Sequence, residues 1–176
     1  TTSKPEEYLD AAIAALRGDG DWTAVLDGLP VPVYTTTADG GVTYWNRACV
    51  EFAGREPQLG EDRWCVTWRI FTTDGEAMPH EQCPMADAIR SRAAVRGKVA
   101  IALRPDGSRR AFTPYPTPLF DAAGELTGAV NILIDQLLVN HVEWQTHRNV
   151  AELRQSLEAY ITSCNAFYGE RQRFLL

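Results

Sequence analysis

The sequence predicts an α+β fold: a five-stranded antiparallel sheet with short helices over one face, flanked by an N-terminal amphipathic helix and a long C-terminal helix. Three observations carry this. "PVPVYTTTADGGVTYWN", residues 30–46, reads as two β-rich runs around Asp39-Gly40-Gly41, residues that tolerate the positive φ of tight hairpins. "KVAIALRPDGSRRAFTPYPTPLFDAAGELTGAVNILID", residues 98–135, gives three further runs punctuated by Pro105-Asp106-Gly107 and by Asp121 to Gly124. After Asp135 the pattern turns helical, with apolar residues recurring at steps of three and four.

Taken in order, "SKPEEYLDAAIAALRG" opens with Ser3 three residues before Glu6, has Pro5 in its first turn, and repeats Leu9, Ala12, Ile13 and Leu16 before stopping at Gly18. It predicts an amphipathic helix whose apolar face needs either the main domain or a second copy of the chain. The hairpin follows. Between it and the three-strand meander lie about fifty residues in which "NRACVEFAG" and "CPMADAIRSRA" read as short helices and Pro57, Gly60 and Pro79 break the remainder. This excursion is expected to cover one face of the sheet, with a pocket beneath it. Pro114, Pro116 and Pro118 recur with the strand period of two, so the positions lacking an N–H all face one neighbour, and pairing on that side should be interrupted. Either this marks an edge or bulge, or it opens the sheet to a ligand or partner.

In the tail, Val150, Leu153, Leu157, Tyr160, Cys164 and Phe167 follow each other at steps of 3, 4, 3, 4 and 3, the seam of a coiled coil. The seam calls for another helix, from a second chain or by folding back on its own. The predicted organisation is residues 1–20, the N-terminal helix; 21–136, the main domain; and 137–176, the C-terminal coiled-coil helix.

A chain of 176 residues suits one sizeable core. A net charge of −6 and the lack of a Lys/Arg stripe speak against a nucleic-acid binder. No apolar run reaches the roughly 18 residues of a membrane span, and the N-terminus is polar and acidic, so a cytoplasmic location with no membrane segment in this chain is expected. Cys49, Cys65, Cys83 and Cys164 form no CxxC pair and read as thiols in a reducing compartment.

The order of "VLDGLPVPVYTTTADGGVTYWNRACVEFAG", then "PDGSRRAFTPYPTPLFDAAGELTGAVNILID", resembles a PAS domain, of the kind found as the sensor module of bacterial sensor histidine kinases. The resemblance spans roughly Trp22 to Asp135. It implies a five-stranded sheet with helices over one face, a homodimer, and a C-terminal helix relaying a signal to an output kinase or other domain. The chain carries no phosphoacceptor histidine box and no nucleotide-binding glycine box, so it is expected to be non-catalytic itself.

"WCVTWRIFTTDGEAMPHEQCPM", residues 64–85, raises the question of a cofactor. His80 and Cys83 are spaced as HxxC with Cys65 upstream, but no fourth ligand follows at normal spacing and no metal site is assigned. Haem ligation in the resembled family uses a histidine on the helix facing the sheet; the helix at about 84–92 has none. The light-sensing relatives pair Asn with a photochemical Cys, whereas Cys65 stands five residues after Gly60 without that Asn, so their photochemistry does not transfer. The cofactor is left unknown, with haem and non-covalent flavin as the alternatives. The residues expected to line a pocket for a small-molecule ligand are Tyr34, Trp45, Trp64, Trp68, Met85, Ile89, Phe112, Tyr115 and Asn131, an aromatic and apolar wall with few polar groups that would otherwise simply fill the core. Acid–base catalysis in such a pocket has only Asp62 and His80 as candidates, and His141 and His147, six apart on the tail, share no helix face. A stand-alone protein–protein interaction module without a ligand is the alternative function.

Overall fold

The computed structural model describes residues 4–136, a sheet wrapped by short helices. Helix α1, Lys4–Arg17, buries Leu9 and Ala12. It packs on α2, Trp22–Asp27, and on the last strand, so the partner its apolar face needs is the chain's own domain. Ser3 lies outside the described residues. Helix α2 has no apolar repeat to announce it; Asp21 caps it, accepting from the Thr23 and Ala24 N–H groups at 3.2 and 3.4 Å.

Strands β1, Val33–Thr37, and β2, Val42–Trp45, form the predicted hairpin, with Tyr34 opposite Trp45 and Thr35 opposite Tyr44. Asn46 then ties three elements together. Its Oδ1 accepts from the Val33 and Cys49 N–H groups at 3.0 and 3.2 Å, and its Nδ2 donates to the Leu26 and Val31 carbonyls at 3.1 and 2.9 Å. One buried amide thereby caps α3, Arg47–Ala53, while anchoring α2 and β1.

The excursion is less purely helical than its sequence suggests. Strands β3, Arg69–Phe71, and β4, Ala77–Met78, form a short hairpin around Asp74-Gly75, followed by a 3₁₀ turn at His80–Gln82 and helix α4, Pro84–Ser91. The meander supplies β5, Ala100–Leu103; β6, Arg109–Pro114; β7, Thr117–Phe120; and β8, Leu126–Asp135. The expectation of five strands is corrected to eight, in the order β2-β1-β8-β6-β5-β3-β4, with β7 also on β8. Two causes account for the difference: β3 and β4 extend the sheet beyond β5, and the fourth expected strand is split into β6 and β7.

That split lies in the proline row. β6 and β7 keep one register against β8, from Thr113 opposite Ile134 to Thr117 opposite Val130, and the Tyr115 N–H still reaches the Ile132 carbonyl at 3.0 Å. Odd-numbered residues therefore donate to β8, and Pro114, Pro116 and Pro118 occupy the positions turned toward the β5 side. There the β5–β6 ladder stops at Ala100 opposite Phe112. Beyond it the Pro116 carbonyl is capped by the Val95 N–H at 3.2 Å and the Arg96 guanidinium at 3.0 Å.

One core lies between the sheet and the excursion, built from Tyr34, Phe52, Val66, Ile70, Met85, Ile89, Phe112 and Leu133 with their neighbours; Phe52 and Phe112 meet edge to face at 5.4 Å. Among the described residues no helix is long and apolar enough to cross a membrane. The predicted tail helix, with Val150, Leu153, Leu157, Tyr160, Cys164 and Phe167, lies outside the described residues.

β8 crosses β1 so closely at Gly128 that an added Cβ would stand 2.0 Å from the Thr36 carbonyl oxygen, a backbone atom with no room to yield. Gly128→Ala should therefore cost about 3 kcal/mol or more in urea unfolding. Gly107→Ala, at a turn glycine with φ of +85° and no atom within 4 Å of its added Cβ, should cost only about 1 kcal/mol. Equal losses would contradict this packing.

Candidate functional site

The tryptophan- and cysteine-rich stretch from Trp64 to Met85 divides between two environments. Cys65, Val66, Ile70, Cys83 and Met85 enter the core, with Trp64 and Met78 packed against it. Trp68, Arg69, Ile70, Phe71, Ala77, Met78, Pro79 and His80 line a cavity of about 460 Å³ along the β3–β4 hairpin.

Of the expected pocket residues, Tyr34, Met85, Ile89 and Phe112 come together in the core, and Trp45 and Trp64 pack against it. Trp45 also donates its indole N–H to Glu56 at 2.9 Å. Asn131 is buried beside them, whereas Trp68 is 43% exposed on the hairpin. Tyr115 is half-buried under the Arg96 guanidinium, 5.4 Å above its ring.

A chain of hydrogen bonds runs through this interior. The Tyr115 N–H donates to Asn131 Oδ1 at 2.8 Å, Asn131 Nδ2 donates to the Tyr34 hydroxyl at 3.0 Å, and that hydroxyl donates to the Trp64 carbonyl at 3.0 Å. Tyr34 is fully buried, and burial foremost, with the Cys65 and Cys83 thiols adding, holds its hydroxyl protonated far above the ordinary range. Trp64 itself adopts a φ of +67°, unusual for a bulky residue. Its N–H donates to the Gly40 carbonyl at 2.7 Å, and its ring lies so close that a Cβ on Gly40 would be 2.4 Å away. Gly40 thus serves both the hairpin turn and the seat of Trp64, a second role that turn chemistry alone does not reveal.

The thiols are chemically quiet. Burial pushes Cys83 up to about 12 and raises Cys49 and Cys65 as well. Among the described residues no three His, Cys, Asp or Glu side chains gather as metal ligands, so Cys65, His80 and Cys83 do not converge as a set. Asp62 is taken up by structure: Arg55 grips both its oxygens at 2.9 and 2.7 Å, and the Gln58 N–H donates to it at 2.6 Å. His80 lies partly buried at the cavity with its Nε2 enclosed and without a hydrogen-bond partner among the described residues.

Two outcomes follow from this geometry. Tyr34→Phe leaves the Trp64 carbonyl and one Asn131 N–H unpaired inside the core, and should lower unfolding stability by about 1–3 kcal/mol in urea with the circular dichroism spectrum unchanged. Burial foremost, with Arg55 nearby, lowers the His80 pKa, against raising contributions from Asp62 and Glu81. The folded state therefore binds fewer protons at His80 than the unfolded state does, and stability contributed by the neutral ring is lost as pH falls through the ordinary histidine range near 6.5. His80→Gln should flatten the decline in melting temperature between about pH 7 and 5; an unchanged slope would show that His80 titrates normally.

The comparisons with known proteins agree with this architecture. The model of the PAS fold family matches residues 26–136. Among solved structures, an RNA-binding light-oxygen-voltage receptor is 23% identical with a TM-score of 0.52; it matches over 64% of this chain but only 31% of its own, so this chain spans about a third of that receptor. The PAS domain of the fruit-fly ELK potassium channel is 10% identical with a TM-score of 0.51, over 65% of this chain and 93% of its own. A LOV domain from a blue-light-activated histidine kinase of Erythrobacter litoralis is 20% identical with a TM-score of 0.45, over 61% of this chain and 97% of its own. No curated protein matches the chain. With a family match across most of its length and a sheet, excursion and closing strand in the corresponding order, the chain belongs to the PAS fold family.

Proposed function

We propose that this PAS domain is the sensory and dimerisation module of a bacterial signal-transduction protein, a cytoplasmic histidine kinase, and that it relays ligand or partner binding through the segment after Asp135. In this reading the chain is non-catalytic and the kinase output lies outside it. The observation that carries the proposal is the course of β8. It pairs with β1 on one side and with β6 and β7 on the other, contributes Asn131 to the interior hydrogen-bond chain, and delivers the polypeptide directly to residue 136. Its end is held by Asp135, buried and 2.7 Å from Arg110, and by the Gln136 amide on the Thr113 hydroxyl at 2.5 Å. A change in how the excursion packs on the sheet has only this strand to cross before reaching the exit, which suits a module that biases two packings of one element. The seam from Val150 to Phe167 is then the dimer contact.

The density of the interior favours a second reading, a protein–protein interaction module without a small-molecule ligand. Tyr34, Met85 and Leu133 are all essentially inaccessible at its centre.

Native mass and absorption spectra of the freshly purified chain separate the two. A visible band or an extra mass released on denaturation supports ligand sensing, and a bare polypeptide mass supports the interaction module. Replacing Leu153 and Leu157 together by Asp should convert a dimer to monomer in light scattering, with at least a tenfold rise in the dissociation constant. A dimer of undiminished affinity would remove the tail from the interface.

A further inference from the structure

We propose that the cavity along the β3–β4 hairpin is a binding site for a flat aromatic carboxylate, separate from the packed interior. Its volume, about 460 Å³, falls within the roughly 300–1,000 Å³ of small-molecule sites. The lining supplies the two kinds of contact such a ligand needs. Trp68, Phe71 and Met78 offer an apolar, aromatic wall, and Trp68 at 43% exposed leaves much of its ring uncovered. Arg69 is the lining's cation, and no carboxylate lines the cavity beside it.

The charge at this spot is presented, not neutralised. The Arg69 guanidinium lies over the Trp68 ring at 4.8 Å, and among the described residues it has no acidic partner. Arg109 lies over Phe71 at 5.0 Å, likewise without an acidic partner among the described residues, and adds a second cation next to the same wall. A guanidinium held over an aromatic face loses less freedom on binding a carboxylate than a loose side chain would. The chain as a whole is acidic, with a net charge of −6, so this paired positive spot runs against its overall charge.

His80 belongs to the same lining. Its Nε2 is enclosed without a hydrogen-bond partner, a deficit that a turn of the ring toward a ligand oxygen relieves. The same residue starts the turn leading into α4, whose Met85 and Ile89 are core residues, so an occupant touching His80 also touches the segment that roofs the interior.

The test uses the whole chain with two probes, 2-naphthoate and its neutral isostere 2-naphthamide, by titration calorimetry and by nuclear Overhauser contacts. Saturable 2-naphthoate binding is expected, about three- to fivefold tighter than 2-naphthamide, as suits one exposed charge pair. Trp68→Ala should weaken both probes about tenfold. Arg69→Gln removes the guanidinium over Trp68 and should narrow the gap between the two affinities, with Arg109 left in place. Contacts are expected to the Trp68 ring and the Met78 methyl. The proposal is overturned by an absence of saturable binding, by affinities that both variants leave unchanged, or by contacts to Phe112 and Ile89, which would put the probe in the interior. None of these readings depends on the kinase assignment, because each scores the hairpin alone.

Discussion

The Tyr34 hydroxyl is the constraint around which the domain is organised. A phenol with no solvent access must find partners or forfeit roughly 1–3 kcal/mol, and the partners it finds lie on elements far apart in sequence. Asn131 fixes the rotation of β8 against β1, and its other amide atom reaches the Tyr115 N–H, where the β6–β7 strand is broken. On the opposite side the hydroxyl holds the Trp64 carbonyl, which keeps that residue in its left-handed conformation against Gly40. Strand register, the proline interruption and the entry to the excursion thus share one set of hydrogen bonds.

Asn46 plays the matching role at the near end, where four bonds from a single amide join α2, β1 and α3. Between these two polar ties the core is apolar and closely filled. Such a frame concentrates adaptability where packing is thinner, on the β3–β4 hairpin, whose strands are three and two residues long. The domain is therefore divided between a closely tied sheet and a short hairpin that borders the Trp68–His80 cavity.

Much of the fold was legible because it rests on strong local chemistry. Asp39-Gly40-Gly41 and Pro105-Asp106-Gly107 are turn sequences with a mechanism, and β8 is long and concentrates apolar residues at Ala129, Val130, Ile132, Leu133 and Ile134. What stayed hidden was short or depended on direction. Helix α2 has six residues and one capping aspartate, and β4 has two residues, too few for any periodicity to appear. Trp64 and Trp68 lie four apart with the same side chain, yet one packs on the core and the other faces outward. The strained turn at Trp64 decides which, and nothing in the local sequence announces a positive φ there. Tyr34, Met85, Ile89 and Phe112, expected as pocket lining, lie together in the core, each on an element whose apolar face the sequence makes evident.

The proline row has a consequence for the behaviour of this protein at high concentration. A strand margin that ends its partner ladder early is ordinarily a template on which another chain can add itself. Here the margin beyond Phe112 carries Pro114, Pro116 and Pro118, none of which has a proton to offer, and the Pro116 carbonyl is already engaged by Val95 and Arg96. The three rings therefore guard this border against fibrous growth: self-association of this chain cannot proceed by extending the sheet along it.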